Sequence, residues 1–90
     1  SATGKVIKAF TQNDQELKDL INKKGYIYTA GERLDNIASV AVPIFNNKEN
    51  FTGTLSISGW RQFFTNKSVA KFYKILSGYQ NQMKRLVSNE

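Results

Sequence analysis

The feature that most constrains the fold is the segment at residues 37–45, IASVAVPIF, which is almost entirely apolar. In an extended strand successive side chains point to opposite faces, and here both alternating sets are largely apolar. A strand of this kind needs cover on both of its faces. The sequence therefore predicts a sheet that has protein packed on each side. Pro43 has no backbone N–H, which predicts a bulge or a locally unpaired position within this strand.

Two further segments predict the strands that accompany it. Residues 26–29 (YIYT) come before it, and residues 51–58 (FTGTLSIS) follow after a polar hairpin loop at residues 46–50. The later segment alternates, so Phe51, Leu55 and Ile57 are predicted to share one face. The opposite face would then carry a file of hydroxyl side chains, which we call the hydroxyl file: Thr52, Thr54, Ser56 and Ser58.

Two short helical patterns precede the strands. Residues 4–10 (GKVIKAF) have apolar side chains at spacings of three and four, which predicts a first helix. Asn13 is predicted to cap a second helix, with Glu16 completing a capping box. Gly25 follows two lysines and is predicted to end that helix in the left-handed conformation.

A long helix is predicted after the strands, from Thr65 or Asn66 to about residue 88. Its apolar stripe has spacings of three and four throughout and consists of Val69, Phe72, Leu76, Tyr79, Met83 and Leu86. The predicted order is therefore ααβββα. It indicates an α+β fold in a single domain over residues 1–90, with an antiparallel sheet of about three strands flanked by helices.

The composition argues against most enzyme chemistry. The chain has neither histidine nor cysteine, so a Ser-His relay, a thiolate metal site and a disulfide are excluded. Glu32 and Asp35 lie in one predicted loop. Two solvated carboxylates are favoured there over a catalytic acid–base pair. A Ser-Lys pair stays open. We predict no catalytic residues, no metal site and no cofactor.

Basic side chains raise the question of an anionic partner. The net charge is +6, and Lys67, Lys71 and Lys74 follow one flank of the last predicted helix. A solvated helix face is favoured over a nucleic-acid surface, because no recognition motif accompanies these lysines. No segment is long and apolar enough to be a signal peptide or a membrane span, which predicts a soluble, cytoplasmic protein.

The hydroxyl file has two interpretations. It is either the solvated face of an antiparallel sheet or the lining of a pocket, in which small hydroxyls leave room for a ligand and can donate or accept hydrogen bonds. Ser39, on the neighbouring predicted strand, would add another hydroxyl. Spacing alone favours the solvated face, since concave pockets are few in any protein.

A stretch of the chain resembles a known family. Residues 25–59 read GYIYTAGERLDNIASVAVPIFNNKENFTGTLSISG. This stretch is similar to the C-terminal domain of IclR-type bacterial transcriptional regulators in its Gly-Tyr strand, its Glu32, its small-apolar strand SVAVPIF and its closing SISG. Residues 2–10 (ATGKVIKAF) also resemble the family's first helix, and the ordered set of matches covers most of the chain.

The resemblance implies a GAF/PAS-like sensory domain that holds a small effector, often an organic acid. A separate helix-turn-helix domain, absent from this chain, would contact DNA, and the protein would be a homodimer or homotetramer. The chain would be the C-terminal part of the sensory domain. Backbone groups near the first helix start and hydroxyls of the sheet would bind the ligand, with one apolar contact from Ile37. The ligand-binding residues expected are Ala2, Thr3, Gly4, Thr29, Ile37, Ser39, Ser56 and Ser58.

Two other functions are open at this stage. The first is a purely structural association module, in which a second copy covers a free sheet edge. The second is direct nucleic-acid contact through the flank of three lysines, which would weaken steeply with added salt.

Overall fold

The computed structural model describes residues 1–31 and 36–89, and the predicted loop carboxylates Glu32 and Asp35 lie outside these ranges. Two helices come first, α1 (Ala2–Thr11) and α2 (Gln15–Lys24). The strands are β1 (Ile27–Ala30), β2 (Ile37–Phe45) and β3 (Phe51–Trp60). A 3₁₀ turn (Arg61–Phe63) leads into the long helix α3 (Asn66–Ser88). The predicted α+β class and the order ααβββα are confirmed.

The three strands form one antiparallel sheet in the order β1-β2-β3, with β2 in the centre. Every residue of β2 from Ala38 to Ile44 is buried, which confirms the prediction that both of its faces are covered. The predicted bounds of β2 are those observed. β1 lies one residue later than predicted, and β3 continues two residues further, to Trp60.

Each face of the sheet has its own apolar core. On one face, α1 and α2 pack against β1 and β2 through Ala2, Val6, Ala9, Ile21, Ile27 and Ala41. On the other face, α3 and Phe64 pack through Ala38, Val40, Val42, Phe64, Val69 and Leu76. Burying one valine, isoleucine or leucine side chain contributes about 1.5–3 kcal/mol. Each core contains several such side chains, and both cores pack against β2, so this strand joins the helical layers.

A β-bulge in β3 corrects the predicted distribution of side chains. Ile44 pairs with Gly53 but Phe45 pairs with Phe51, so Thr52 is an extra residue. Phe51 therefore faces α1, where its ring stacks on Phe10 at 5.2 Å between centroids. The prediction that Phe51 shares a face with Leu55 and Ile57 is wrong. So is the placement of Thr52 in the hydroxyl file, since its hydroxyl donates to the Ile44 carbonyl at 3.1 Å.

The ends of α2 follow local chemistry with one correction. Asp14, and not Asn13, is the N-cap residue, and its carboxylate accepts a bond from the Leu17 N–H at 3.2 Å. Asn13 instead adopts a left-handed conformation with φ of 54°, which asparagine tolerates. Gly25 ends the helix with φ of 90°, and its N–H donates to the Ile21 carbonyl, as predicted.

Helix α3 contacts the sheet along a line that differs from the predicted stripe. Val69, Phe72 and Leu76 pack on the sheet as expected, but Tyr79 and Leu86 are exposed. Further along the helix, the Gln80 amide donates to the Pro43 carbonyl at 2.5 Å. Lys84 pairs with Glu49 at 3.0 Å, so the C-terminal half of α3 is tied to the β2–β3 hairpin by polar contacts.

Candidate functional site

The centre of the candidate site is a row of three hydroxyls, one from each strand. Thr29 of β1 pairs with Ser39 of β2, and Ser39 pairs with Ser58 of β3. Directly opposed residues in an antiparallel sheet point to the same face, and here that is the face covered by α1. We call Thr29, Ser39 and Ser58 the hydroxyl row. The register of the sheet thus brings together three of the residues singled out in the sequence.

The hydroxyl row passes from the protein interior to its surface. Thr29 and Ser39 are each only 7% exposed, and their hydroxyl oxygens lie 3.2 Å apart. Ser58 is exposed at the edge strand. A hydrogen bond between two hydroxyls uses one of their two O–H donors. The buried pair therefore has a second donor to offer to an acceptor.

The rows on either side frame the hydroxyls. Towards the hairpin, Ala41 pairs with Ile27 and with Ser56, so the exposed hydroxyl of Ser56 lies one row from that of Ser58. Towards the opposite end of the sheet, Ile37 pairs with Trp60. Two apolar side chains, one of them half-buried Ile37, therefore border the row on that side.

Helix α1 packs on the face of the sheet that carries the hydroxyl row. Its last turn is fixed at the hairpin end of the sheet, where the Phe10 ring lies 5.0 Å from that of Phe45. A helix of ten residues extends about 15 Å, which carries Ala2 back along the sheet to the core around Ala41. The first turn of α1, which is the positive end of its dipole, therefore belongs to the core on this face of the sheet.

The first turn of α1 differs in detail from what the sequence indicated. Ser1 is the N-cap residue, and its side chain accepts a bond from the Gly4 N–H at 3.1 Å. Ala2 is fully buried and Thr3 half-buried. The Gly4 N–H is therefore engaged by the cap, while Ala2 and Thr3 belong to the first turn, whose N–H groups have no acceptor within a helix.

Sequence reasoning missed Trp60, because it ended β3 at Gly59. Trp60 is two residues beyond Ser58 in the same strand, so both side chains lie on one face. It also lines an open depression of about 390 Å³ together with Asn36, Arg61 and Gln62. We call this the Trp60 depression. The period-two alternation of the strand, continued past Gly59, would have identified this residue.

Thr54 is a second residue whose position is informative. It lies on the same face, paired with Pro43, and its buried hydroxyl has no hydrogen-bond partner in the described part of the chain. A buried hydroxyl without a partner costs about 1–3 kcal/mol. Of the predicted hydroxyl file, Thr54 is thus enclosed near the hairpin, whereas Ser56 and Ser58, further along the strand, are exposed.

Other chemistry finds little support among residues 1–31 and 36–89. These residues contain no cluster of three side chains suited to a metal ion. None of their helices has the length and hydrophobicity needed to cross a membrane. Lys67, Lys71 and Lys74 are all exposed on α3, as expected for the solvated helix face that the sequence favours; nucleic-acid contact through them stays an untested alternative.

Solved structures of bacterial transcriptional regulators share this fold. The IclR of Thermotoga maritima is similar over 98% of this chain and 46% of its own, with a TM-score of 0.83 and 24% identity. A regulator of Alicyclobacillus acidocaldarius is similar over 87% of this chain and 34% of its own, with a TM-score of 0.68 and 27% identity. The C-terminal domain of the E. coli regulator KdgR is similar over 87% of this chain and 48% of its own, with a TM-score of 0.73 and 19% identity.

These likenesses place the fold in the class of transcriptional-regulator domains, and the sequence specifies the family. The chain belongs to the IclR C-terminal family, because the family's sequence model, described as "Bacterial transcriptional regulator IclR C-terminal", matches residues 1–85. This confirms the resemblance found in the sequence. No curated protein sequence matches the chain. The chain spans less than half the length of the three solved structures, including the isolated domain of KdgR.

Proposed function

We propose that the chain is the C-terminal part of an effector-sensing domain, and that the hydroxyl row binds the carboxylate of a small organic acid. The domain would alter DNA binding by a helix-turn-helix domain separate from these residues. The observation that carries the proposal is the alignment of Thr29, Ser39 and Ser58 in one cross-strand row, which ends in an exposed hydroxyl on the face of the sheet that α1 covers.

The chemistry of the row suits an anionic acceptor. A carboxylate accepts hydrogen bonds and donates none, and the buried Thr29–Ser39 pair retains one O–H donor after its internal bond. Ser58 supplies another donor. The first-turn N–H groups of α1, near Ala2 and Thr3, favour negative charge through the helix dipole. All these groups are donors that do not themselves carry a formal charge, so the site selects an anion without a lysine or an arginine at its centre.

The apolar borders of the row explain why the ligand would be an organic acid and not an inorganic anion. Ile37 lies next to Ser39 on the same face, and Ala41 lies on its other side. A carbon skeleton attached to the carboxylate would cover the exposed atoms of Ile37 and gain about 25 cal/mol for each Å² of apolar surface removed from water, whereas Ala41 is already fully buried. An inorganic anion would have to desolvate against Ile37.

Calorimetry with a panel of small organic acids tests the proposal. A hydroxyl bond to a charged group contributes about 1.5–3 kcal/mol, so Ser58→Ala should weaken binding about ten-fold or more. Ser56→Ala should weaken it as well, by less, because Ser56 lies one row away. Thr52→Ala is the matched control: its hydroxyl bonds to the Ile44 carbonyl, so the affinity should stay within about two-fold of wild type.

The outcomes separate the sensing function from the structural association module. If Ser58→Ala and Ser56→Ala bind an acid as wild type does, these two serines belong to a solvated sheet face and do not bind the ligand. If no acid binds to the wild-type chain, the interpretation as a structural association module replaces the sensing function. Circular dichroism of each variant checks that loss of binding does not reflect loss of the fold.

A further inference from the structure

The Trp60 depression adds a chemical preference to the proposed site. We infer that Trp60 stacks on the body of the ligand, so that the site prefers planar aromatic or conjugated carboxylic acids over saturated acids of equal size. This inference rests on the proposed function, since it concerns the part of the ligand that extends beyond the carboxylate.

The position of Trp60 follows from the register of the sheet. Trp60 pairs with Ile37, and Ser58 pairs with Ser39. The indole therefore lies on the same face as the hydroxyl row and one residue pair further along it. Successive pairs on one face of a strand are about 7 Å apart, which is the length of a small carboxylic acid. A ligand held at Ser58 by its carboxylate would reach the indole with its opposite end.

The exposure of Trp60 distinguishes it from most aromatic side chains of the molecule. Phe64, Phe72 and Tyr73 belong to the apolar core beneath α3, and Phe10 stacks on Phe51. Trp60 is 58% exposed and makes no ring contact with another aromatic side chain among the described residues. Its flat π-surface is available to a ligand, and offset stacking of two rings is favourable beyond the burial of area alone.

The remaining walls of the depression favour a charged ligand over an apolar one. Arg61 is one of the lining residues, and its backbone N–H donates to the Asn36 carbonyl at 2.6 Å. The amide side chains of Asn36 and Gln62 complete the lining. A volume of about 390 Å³ lies in the range of small-molecule sites. Exposed tryptophan and arginine also occur at protein interfaces, but the concave shape and the position of Trp60 on the same strand face as Ser58 favour a small ligand.

Benzoate and cyclohexanecarboxylate are the probes that test this inference, because they have the same carbon number and charge and differ in planarity. Benzoate should bind the wild-type chain about five-fold more tightly, which corresponds to about 1 kcal/mol for one ring stack. Trp60→Leu should abolish that preference and keep an apolar wall. Phe63→Leu is the matched control, because Phe63 is equally exposed at 57% but does not line the depression.

A second readout is optical. Trp60 is the single tryptophan of the chain, so its emission reports directly on this depression. Benzoate should change the emission with the same midpoint that calorimetry gives, and in Ser58→Ala the midpoint should rise about ten-fold for both acids.

The results distinguish failure of the inference from failure of the proposed function. If both acids bind equally, depend on Ser58 and leave the emission unchanged, the sensing function stands and the stacking role of Trp60 is refuted. If neither acid binds and Trp60→Leu abolishes self-association in sedimentation, the depression is a protein interface. In that case both the inference and the proposed function are overturned. If neither of these two acids binds but another acid of the panel does, the inference fails and the proposed function stands; if no acid of the panel binds, both are overturned.

Discussion

Replacing Gly25 by alanine should destabilise the fold strongly, for two separate reasons that can be measured apart. Gly25 ends α2 with φ of +90°, a conformation that costs a residue with a Cβ about 1–2 kcal/mol. A Cβ built at this position would also lie 2.2 Å from the Tyr73 hydroxyl and 2.6 Å from the ring carbon that carries it. The alanine methyl and the tyrosine ring cannot both keep their places.

The second cost depends on how far the ring can move. Tyr73 packs against Tyr26 with ring centroids 4.9 Å apart, and both belong to the core beneath α3. Displacing one ring of such a pair forfeits about 0.5–1.5 kcal/mol. The two costs together predict that Gly25→Ala lowers the free energy of unfolding by about 2–3 kcal/mol, which is a large share of the stability of a small domain.

Urea denaturation followed by circular dichroism measures this loss, with Gly78→Ala as the matched control. A Cβ at Gly78 has no atom within 4 Å, and the residue lies inside α3, so alanine should stabilise the fold there by about 0.5–1 kcal/mol. In a Tyr73→Ala background, Gly25→Ala should cost only the backbone part, about 1–2 kcal/mol. Equal effects of Gly25→Ala in the two backgrounds would show that the ring is not the obstacle, and a neutral Gly25→Ala would refute the whole argument.

The other predictions concern the sheet face and association. Thr54→Val should raise the free energy of unfolding by about 1 kcal/mol because it removes a buried hydroxyl without a partner. Thr29→Val should lower the free energy of unfolding by about 1–2 kcal/mol, because Ser39 loses its hydrogen-bond partner. Urea titrations in which both substitutions change the free energy of unfolding in the same direction would contradict this account. Self-association is predicted from the free edge of β3 and the exposed apolar strip Ile75, Tyr79 and Leu86 on α3. Ile75→Asp should therefore shift sedimentation towards the monomer, whereas Ile7→Asp, at a comparably exposed site on α1, should not; a wild-type monomer at high concentration would end this prediction.

Much of the fold could be predicted because β2 determines the layers around it. A strand that is apolar on both faces requires cover on each, and the helical patterns before and after the strands provide it. The left-handed conformation at the end of α2 could also be predicted from Gly25, since glycine adopts that conformation at little cost. These features depend on residues that are close together in the sequence, so local sequence patterns are enough to predict them.

The bulge at Thr52 could not be predicted from the sequence. The stretch from Thr52 to Thr54 has no large apolar side chain to show which face it buries. The pattern therefore predicts that side chains alternate between the two faces without interruption as far as Phe51. The observed register shift reverses the face of Phe51 relative to Leu55. The choice is made by tertiary packing, because Phe51 stacks on Phe10 of α1, and that contact is not visible in the local pattern.

The stripe of α3 was mispredicted for a reason of geometry. Residues spaced alternately by three and four have an average period of 3.5, whereas a straight α-helix has 3.6 residues per turn. A period of 3.5 drifts by about 20° per heptad, so Tyr79 and Leu86 rotate away from the sheet. Gln80 and Lys84 face the hairpin instead. Of the candidate site, the sequence predicted the hydroxyls of Thr29, Ser39 and Ser58 but not their alignment, which depends on strand register.

The bulge at Thr52 also determines which length changes the molecule can tolerate. From Gly53 to Trp60 each residue of β3 has a fixed partner on β2, whereas Phe51 pairs in a shifted register. Insertions or deletions between Asn46 and Thr52 would therefore be absorbed before the shift, and their cost would fall on the Phe10–Phe45–Phe51 cluster. A deletion beyond Gly53 would instead exchange the two faces of part of the strand and turn Ser56 or Ser58 towards α3. Related chains can thus differ in hairpin length while keeping the surface proposed to bind the ligand. Length changes before Gly53 should be tolerated, and length changes after it should not.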